Sequence, residues 1–543
     1  MALHKAIWNF NEAPIVIILE KGIVEIFNGF KLLREEKILE KIGGNEKLND
    51  FNYLKLVTGK TWEEYQESLF RENRIDYKLL SNIQAARTLI KKEFPETIDD
   101  KIKTKLTNAL LGKTIFVRYL IDKGVKISFE GKSCKWKNDD FCQLLNFSKR
   151  VKNFFDELAD KDKGFNGDLF PIENNEYKQI SATVYSIIGR LLKSEDMGSG
   201  HFSLFDLYDF SIIPIEFISN VYESFIGTEN QAKDGAYYTP LFLVDYILSE
   251  TIEKQLAETN NTNCKVLDPS CGSGIFLVET LRKLIEQYLL NNPSTKRNSK
   301  QFKSAIIEIV KDNIYGVDKD ESAVQVAIFS IYLTLLDYLE PPEIESFKFP
   351  ELLDSNFFCD DFFNESADFN QLKEKDFSFI LGNPPWMRGK NEKKTPLYVK
   401  YINERKNKEK MKEGPIVDIR NKEIAQTFLL RSSDFSKEKT KCALIVTSKV
   451  LYNLQSKDFR KYLLHNYQIE RVFELAPVRR EVFDKSNDKA IAPACVLFFN
   501  YANDKSTDKN LIEHIALKPS RFFLCLRCSR LIDTIFRRCN KID

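Results

Sequence analysis

From about residue 205 the chain repeats one rhythm: a short apolar run, a loop of small residues, then a longer helical stretch. Val266–Asp268 ends one such run, residues 274–290 read as a helix, and Ile314–Asp318 is a further strand ahead of a helix over 322–339. Residues 377–381 and 442–447 are predicted strands, with a helix over 425–434 between them. Alternation of this kind leaves few solutions: a mostly parallel sheet covered by helices, an α/β architecture. In such sheets ligands bind beyond the carboxyl ends of the strands, where the strand order reverses. The chemistry-bearing motifs below all fall at those strand ends.

The first 204 residues read differently. Residues 14–19 and 23–27 are β-branched-rich runs separated by Glu20-Lys21-Gly22, which predicts a hairpin. From about residue 62 to 192 the pattern is helical, with Ala109, Leu110, Leu111, Ile115, Val117, Leu120 and Ile121 spaced along one apolar face. A nuclease would need an Asp and a Glu-x-Lys on adjacent strands to hold a divalent cation. The Glu-x-Lys near the hairpin, Glu35-Glu36-Lys37, sits in a charged, helix-like run, so the expectation is a mainly helical packing domain.

Composition narrows the class further. Lys+Arg number 81 against 79 Asp+Glu in 543 residues, a net charge of +2, so the chain carries no uniform basic coat. No apolar run approaches the roughly 18 residues that span a bilayer, the longest being residues 327–336. Residues 1–10 lack the charged-then-apolar layout of a secretory signal. Ten cysteines over this length do not make a disulfide scaffold, and a soluble cytoplasmic protein without membrane contact is expected. The domain expectation is 1–204 helical with an initial hairpin, 205–515 α/β, and 516–543 an atypical short tail. That tail carries Cys525-Leu526-Arg527-Cys528 with no matching pair, so no metal site is expected. Its Arg- and Cys-rich composition reads as the remnant of a truncated or frame-shifted frame.

Four motifs carry chemistry. In Val266-Leu267-Asp268-Pro269-Ser270-Cys271-Gly272-Ser273-Gly274, a strand meets an acid and then a small-residue turn before a helix. Gly272 and Gly274 allow close backbone approach, and Asp268 suits a ligand bearing an ammonium group better than a phosphate. With no P-loop Lys, the turn points to a zwitterionic nucleoside such as S-adenosylmethionine. Asp318, at the end of Ile314–Asp318, can accept from both ribose hydroxyls; taken alone it reads as a surface turn residue. It lies farther from Asp268 than usual, which the polar stretch 291–301 explains as an insertion. In Phe358-Cys359-Asp360-Asp361-Phe362-Phe363 a carboxylate beside rings can read an adenine amino group, although alone it reads as a buried strand end. The most specific is Gly382-Asn383-Pro384-Pro385-Trp386. The Asn383 side-chain oxygen and the Pro384 carbonyl are two acceptors for one amino group, and Trp386 is a flat face for a planar base or amide.

Asp-Pro-Ser-Cys-Gly-Ser-Gly followed by Asn-Pro-Pro-Trp resembles the S-adenosylmethionine-dependent DNA adenine-N6 methyltransferases. Gly235-Ala236-Tyr237-Tyr238-Thr239-Pro240 upstream is a third signature of that family. Phe165-Asn166-Gly167-Asp168-Leu169-Phe170, residues 208–214, Asn220-Val221-Tyr222-Glu223 and the helical 111–125 resemble large single-chain restriction–modification proteins. The likeness covers about residues 110–500 and is strongest over 205–390. It implies a Rossmann-like methyltransferase domain with a mostly parallel, seven-stranded sheet. It also implies that Tyr238, Thr239 and Pro240 border the cofactor, S-adenosyl-L-methionine. Asp268, Gly272 and Gly274 would hold its methionine part, Asp318 its ribose, and Asp361 with Phe362 its adenine. Asn383, Pro384 and Pro385 would orient the target amine while Trp386, in place of the commoner Tyr, stacks on the base. Phe483 would be a second aromatic facing it. The implied partner is double-stranded DNA, with a separate specificity or nuclease polypeptide, because the family's long C-terminal recognition region has little counterpart after Phe499.

Residues 388–412 hold ten basic against three acidic side chains, placing a candidate phosphate-contacting run directly after Trp386. Two other readings stay open. An amide amine can use the same Asn-Pro-Pro-aromatic geometry, giving a protein glutamine methyltransferase. A truncated, non-catalytic DNA-binding remnant would keep the fold without turnover.

Overall fold

The computed structural model describes residues 2–11, 13–33, 36–69, 74–160, 162, 164–165, 170–193, 195, 197–198, 208–213, 239–387, 395–409, 414–420, 422–483, 492–502 and 510–517. They fall into two compact units. One holds the described residues up to 213 together with Leu339–Phe349; the other holds residues 239–338 and 350–517. Among the described residues no helix is long and apolar enough to cross a membrane. The 516–543 tail lies almost wholly outside the described residues, and its Cys-x-x-Cys entirely so.

In the first unit, strands β1 (Ile15–Glu20) and β2 (Ile23–Leu33) pair antiparallel, and β3 (Ile38–Gly44) joins the far side of β2. Lys21 and Gly22 take φ of 49° and 84° at the turn, consecutive left-handed residues whose twist matches that of the flanking strands. The central helix is Asp100–Asp122, buried from Leu106 to Leu120, as its near-continuous apolar character requires. Near its end Arg118 and Asp122 form a buried pair at 2.9 Å, and Asp122 also accepts from the Phe210 backbone N–H at 2.9 Å. Strands β4 (Lys126–Phe129) and β5 (Lys132–Lys135) make a small hairpin beyond it. Residues 339–349, expected to continue the α/β region, pack here instead. Phe349 donates its N–H to the Phe165 carbonyl at 3.0 Å, and the two rings stack 5.6 Å apart.

The second unit carries the large sheet: β6 (Val266–Asp268), β7 (Ile314–Asp318), β8 (Phe357–Cys359), β9 (Phe379–Gly382), β10 (Lys441–Thr447), β11 (Tyr467–Glu474), β12 (Ala494–Tyr501) and β13 (Glu513–Ala516). Their order is β13-β11-β12-β10-β9-β6-β7-β8, with β12 antiparallel to both neighbours and all other pairs parallel. Among the described residues the sheet has eight strands, one more than the expected seven. The extra one, β13, has four residues and little apolar content, so no strand signal marks it; it gains its ladder from β11 and an Arg471–Glu513 ion pair at 2.5 Å.

Helices Ile275–Asn291, Lys300–Asn313 and Glu321–Asp337 connect and flank β6, β7 and β8. The polar insertion thus leads into a helix, capped by the Ser299 hydroxyl accepting from the Phe302 N–H at 3.1 Å. From β6 the chain steps outward through β7 to β8, then returns to lay β9 against the other side of β6. The order reverses between β6 and β9, so Asp268 and Gly382 end adjacent strands at the switch point.

Candidate active site

The loop after β6 is shaped by two residues that only glycine fills easily. Gly272 and Gly274 have φ of 52° and 85°. A Cβ on Gly274 would lie 3.0 Å from the Ala327 Cβ, so this glycine also lets helix Ile275–Asn291 start close against Glu321–Asp337. The loop is tied to the next strand: Cys271 donates its N–H to the Val317 carbonyl at 3.0 Å, and Gly272 donates to the Asp318 carboxylate at 2.9 Å. Asp318 also accepts from the Asp320 N–H at 3.0 Å. Asp318 thus clamps the glycine loop from β7, and burial pushes its carboxyl above the usual range.

Asp268 is only 1% exposed. It accepts from the Ser270 N–H at 3.0 Å, yet burial, with the charge of Asp318 adding to it, pushes its pKa up to about 8. Room for this carboxylate comes from Gly382: a Cβ there would stand 2.6 Å from the Asp268 Oδ1. Sequence reading assigned Gly382 no role. Its signal was available in retrospect, a glycine closing a strand at the switch point opposite an acid.

Directly after β9, Asn383 donates from Nδ2 to the Thr239 Oγ1 at 3.1 Å. Thr239 is buried and stands just ahead of helix Leu241–Glu250, which Pro240 begins by accepting from the Leu243 and Val244 N–H groups. Pro384 is buried and Pro385 half-buried. Trp386 is half-buried, donating from its indole N–H to the Ile445 carbonyl of β10 at 3.2 Å. Phe483 meets Trp386 edge to face, with ring centroids 5.2 Å apart at 84°. The structure thus brings together Thr239, Asn383, Trp386 and Phe483, drawn from three separate stretches of sequence.

Tyr238 lies outside the described residues. Asp361 caps its own turn by accepting from the Phe363 N–H at 2.9 Å, and burial raises its pKa. Phe362 is buried, its ring stacking on Phe428 at 5.4 Å and on Phe435 at 5.0 Å. The fully buried Arg431 guanidinium donates to the Phe362 carbonyl at 3.1 Å. Of the basic run, residues 388–394 and 410–412 lie outside the described residues. In the described helix Leu397–Glu409, Arg405 is paired with Asp434 at 2.6 Å and Lys406 with Asp418 at 3.1 Å. Lys400 and Lys408 are exposed.

Comparison with known proteins places the chain beside restriction–modification enzymes and methyltransferases. Residues 312–483 match the family model of the Eco57I restriction-modification methylase. Over 489 residues the chain is 24% identical to the type II restriction enzyme and methyltransferase RM.Eco57I of Escherichia coli, covering 81% of this chain and 45% of that protein. It is 24% identical over 189 residues to the adenine-specific methyltransferase PglX of Streptomyces coelicolor, covering 30% of this chain and 15% of that one. The fold is similar to that of the type IIL restriction-modification enzyme MmeI, solved in complex with DNA. The TM-score is 0.54 at 16% identity, covering 81% of this chain and 59% of MmeI. The chain spans less than half the length of these curated relatives. Over residues 312–483, which include the Asn-Pro-Pro-Trp turn, the chain is thus similar to the Eco57I-type restriction-modification methylases.

Proposed function

We propose that the chain transfers a methyl group from S-adenosyl-L-methionine to the N6 amine of an adenine flipped out of double-stranded DNA, within a restriction–modification or related defence system. The observation that carries this reading is the assembly of Asn383 and Trp386 at the carboxyl end of β9, beside the sheet's switch point. A target amine has two hydrogens to place, and the Asn383 side-chain oxygen and the Pro384 carbonyl are acceptors of the right kind. Holding both hydrogens localises the nitrogen lone pair for attack. Trp386, with its indole N–H fixed on the Ile445 carbonyl and Phe483 against it, offers a ring held in one plane for stacking. Stacking offsets part of the few kcal/mol that base extrusion costs.

The donor set also fits the cofactor. Asp268 is a buried acid with raised pKa, and a ligand ammonium is the partner that restores its charge. Gly272 and Gly274, at φ of 52° and 85°, hold the loop in a left-handed turn whose bare backbone a ligand can approach closely. When bound, S-adenosyl-L-methionine supplies a sulfonium-linked methyl as electrophile, so no covalent enzyme intermediate is required. The chain's own contribution is alignment of the amine and exclusion of alternatives. The DNA complex of MmeI and the name of PglX support DNA and adenine as the substrate. A specificity or nuclease polypeptide acting with the chain belongs to the same proposal.

Asn383→Ala tests the site. Methyl transfer to duplex DNA should fall by about a thousandfold or more, while cofactor affinity by calorimetry stays within a few-fold. Wild-type transfer in that variant contradicts the assignment.

A further inference from the structure

The hydrogen bond between Asn383 and Thr239 has a direction, and the direction has a consequence for the reaction. An Asn side chain has one accepting end and one donating end. For the oxygen to receive the target amine, the nitrogen must face a group that can accept. Thr239 Oγ1 stands 3.1 Å from that nitrogen, and the threonine is only 6% exposed. Thr239 belongs to the segment that resemblance assigned to the cofactor border, and nothing in that assignment involves the target amine.

We infer that Thr239 is a positioning residue for the methyl acceptor: its hydroxyl oxygen accepts from the Asn383 Nδ2–H and fixes the amide with its oxygen toward the target amine. This rests on the methyltransferase reading above. Pro240 begins helix Leu241–Glu250 immediately afterwards, so the hydroxyl is carried on a helix start packed through buried Leu243, Val244, Ile247 and Leu248. A hydroxyl placed by such a rigid element is better able to hold a neighbouring amide than one on a free loop. With valine in its place, the part-buried amide nitrogen loses that acceptor, and the productive orientation loses its advantage over the flipped one.

The test is single-turnover methyl transfer to duplex DNA, at saturating DNA and cofactor, for the wild type, Thr239→Val, Thr239→Ala and Thr239→Ser. Cofactor affinity is measured alongside by calorimetry. The expected result is a drop of roughly 10- to 100-fold in the transfer rate for the Val and Ala variants. Their cofactor affinity should stay within about twofold, and the Ser variant should recover most of the rate. Two variants guard against one failing to fold. A wild-type rate in a folded Val or Ala variant overturns the inference. So does a loss of cofactor affinity matching the loss of rate, because Thr239 would then act on the cofactor. If the wild type itself methylates no DNA while binding cofactor, the methyltransferase reading falls and this inference falls with it.

Discussion

At the scale of single residues, the acid at the switch point gives the clearest handle. Asp268 binds its proton more tightly in the folded chain, up to about 8, than an unfolded carboxyl does at about 4. Between those values the folded state holds more protons than the unfolded one, so stability must decline as pH rises. The contribution of the neutral acid is complete below about pH 4 and lost on approach to pH 8. Asp268→Asn should flatten this decline, measured as urea unfolding free energy of the cofactor-free protein at pH 5, 6.5 and 8. An unchanged slope in the variant would show that Asp268 is not the group responsible. The same residues show what sequence could reveal. Asp268, Asn383 and Trp386 stand out in the sequence because each sits in a compact motif directly at or after a strand end, and the fold does set those strand ends side by side. Gly382 was not legible, because its role depends on a carboxylate more than a hundred residues away in sequence. The packing of Phe362 on Phe428 and Phe435 was not legible either, because a Phe beside an Asp looks the same in sequence whatever rings the fold sets against it.

At the scale of elements, the glycine loop and its helix behave as one unit. Gly274 combines a φ of 85° with 3.0 Å clearance to Ala327 for any added Cβ. Gly274→Ala therefore meets both a left-handed backbone penalty and overpacking between two helices, about 2–4 kcal/mol together. Chemical denaturation should show a loss of that size. A loss below about 0.5 kcal/mol would mean that the helices move apart freely. Elements with strong periodicity were readable to within a residue or two, including Val266–Asp268, Ile314–Asp318 and the helices after them. β13 was not, since its short polar sequence takes its structure from β11 rather than from its own propensity. Residues 339–349 were misplaced for a related reason: only the Phe116, Phe165 and Phe349 rings, brought together by folding, say which core they join.

At the scale of the whole molecule, the α/β class was legible and the distribution of charge was not. The basic run after Trp386 reads in sequence as either a solvated face or a phosphate-contacting run. In its described part Arg405 and Lys406 are instead neutralised by Asp434 and Asp418, acids outside the run that only the fold brings near. Lys400 and Lys408 remain as exposed cations of that helix. A count along the sequence cannot see such pairing, and DNA contact rests more firmly on the site than on the charge.

The central claim, methyl transfer to adenine N6, is tested most directly by the identity of the methylated product. The protein is incubated with methyl-labelled cofactor, duplex DNA of mixed sequence and a protein extract. DNA and protein are then separated and hydrolysed, and the label is located by mass spectrometry. The account expects the label as N6-methyldeoxyadenosine. Label on a cytosine or on a protein glutamine, with none on adenine, would contradict it.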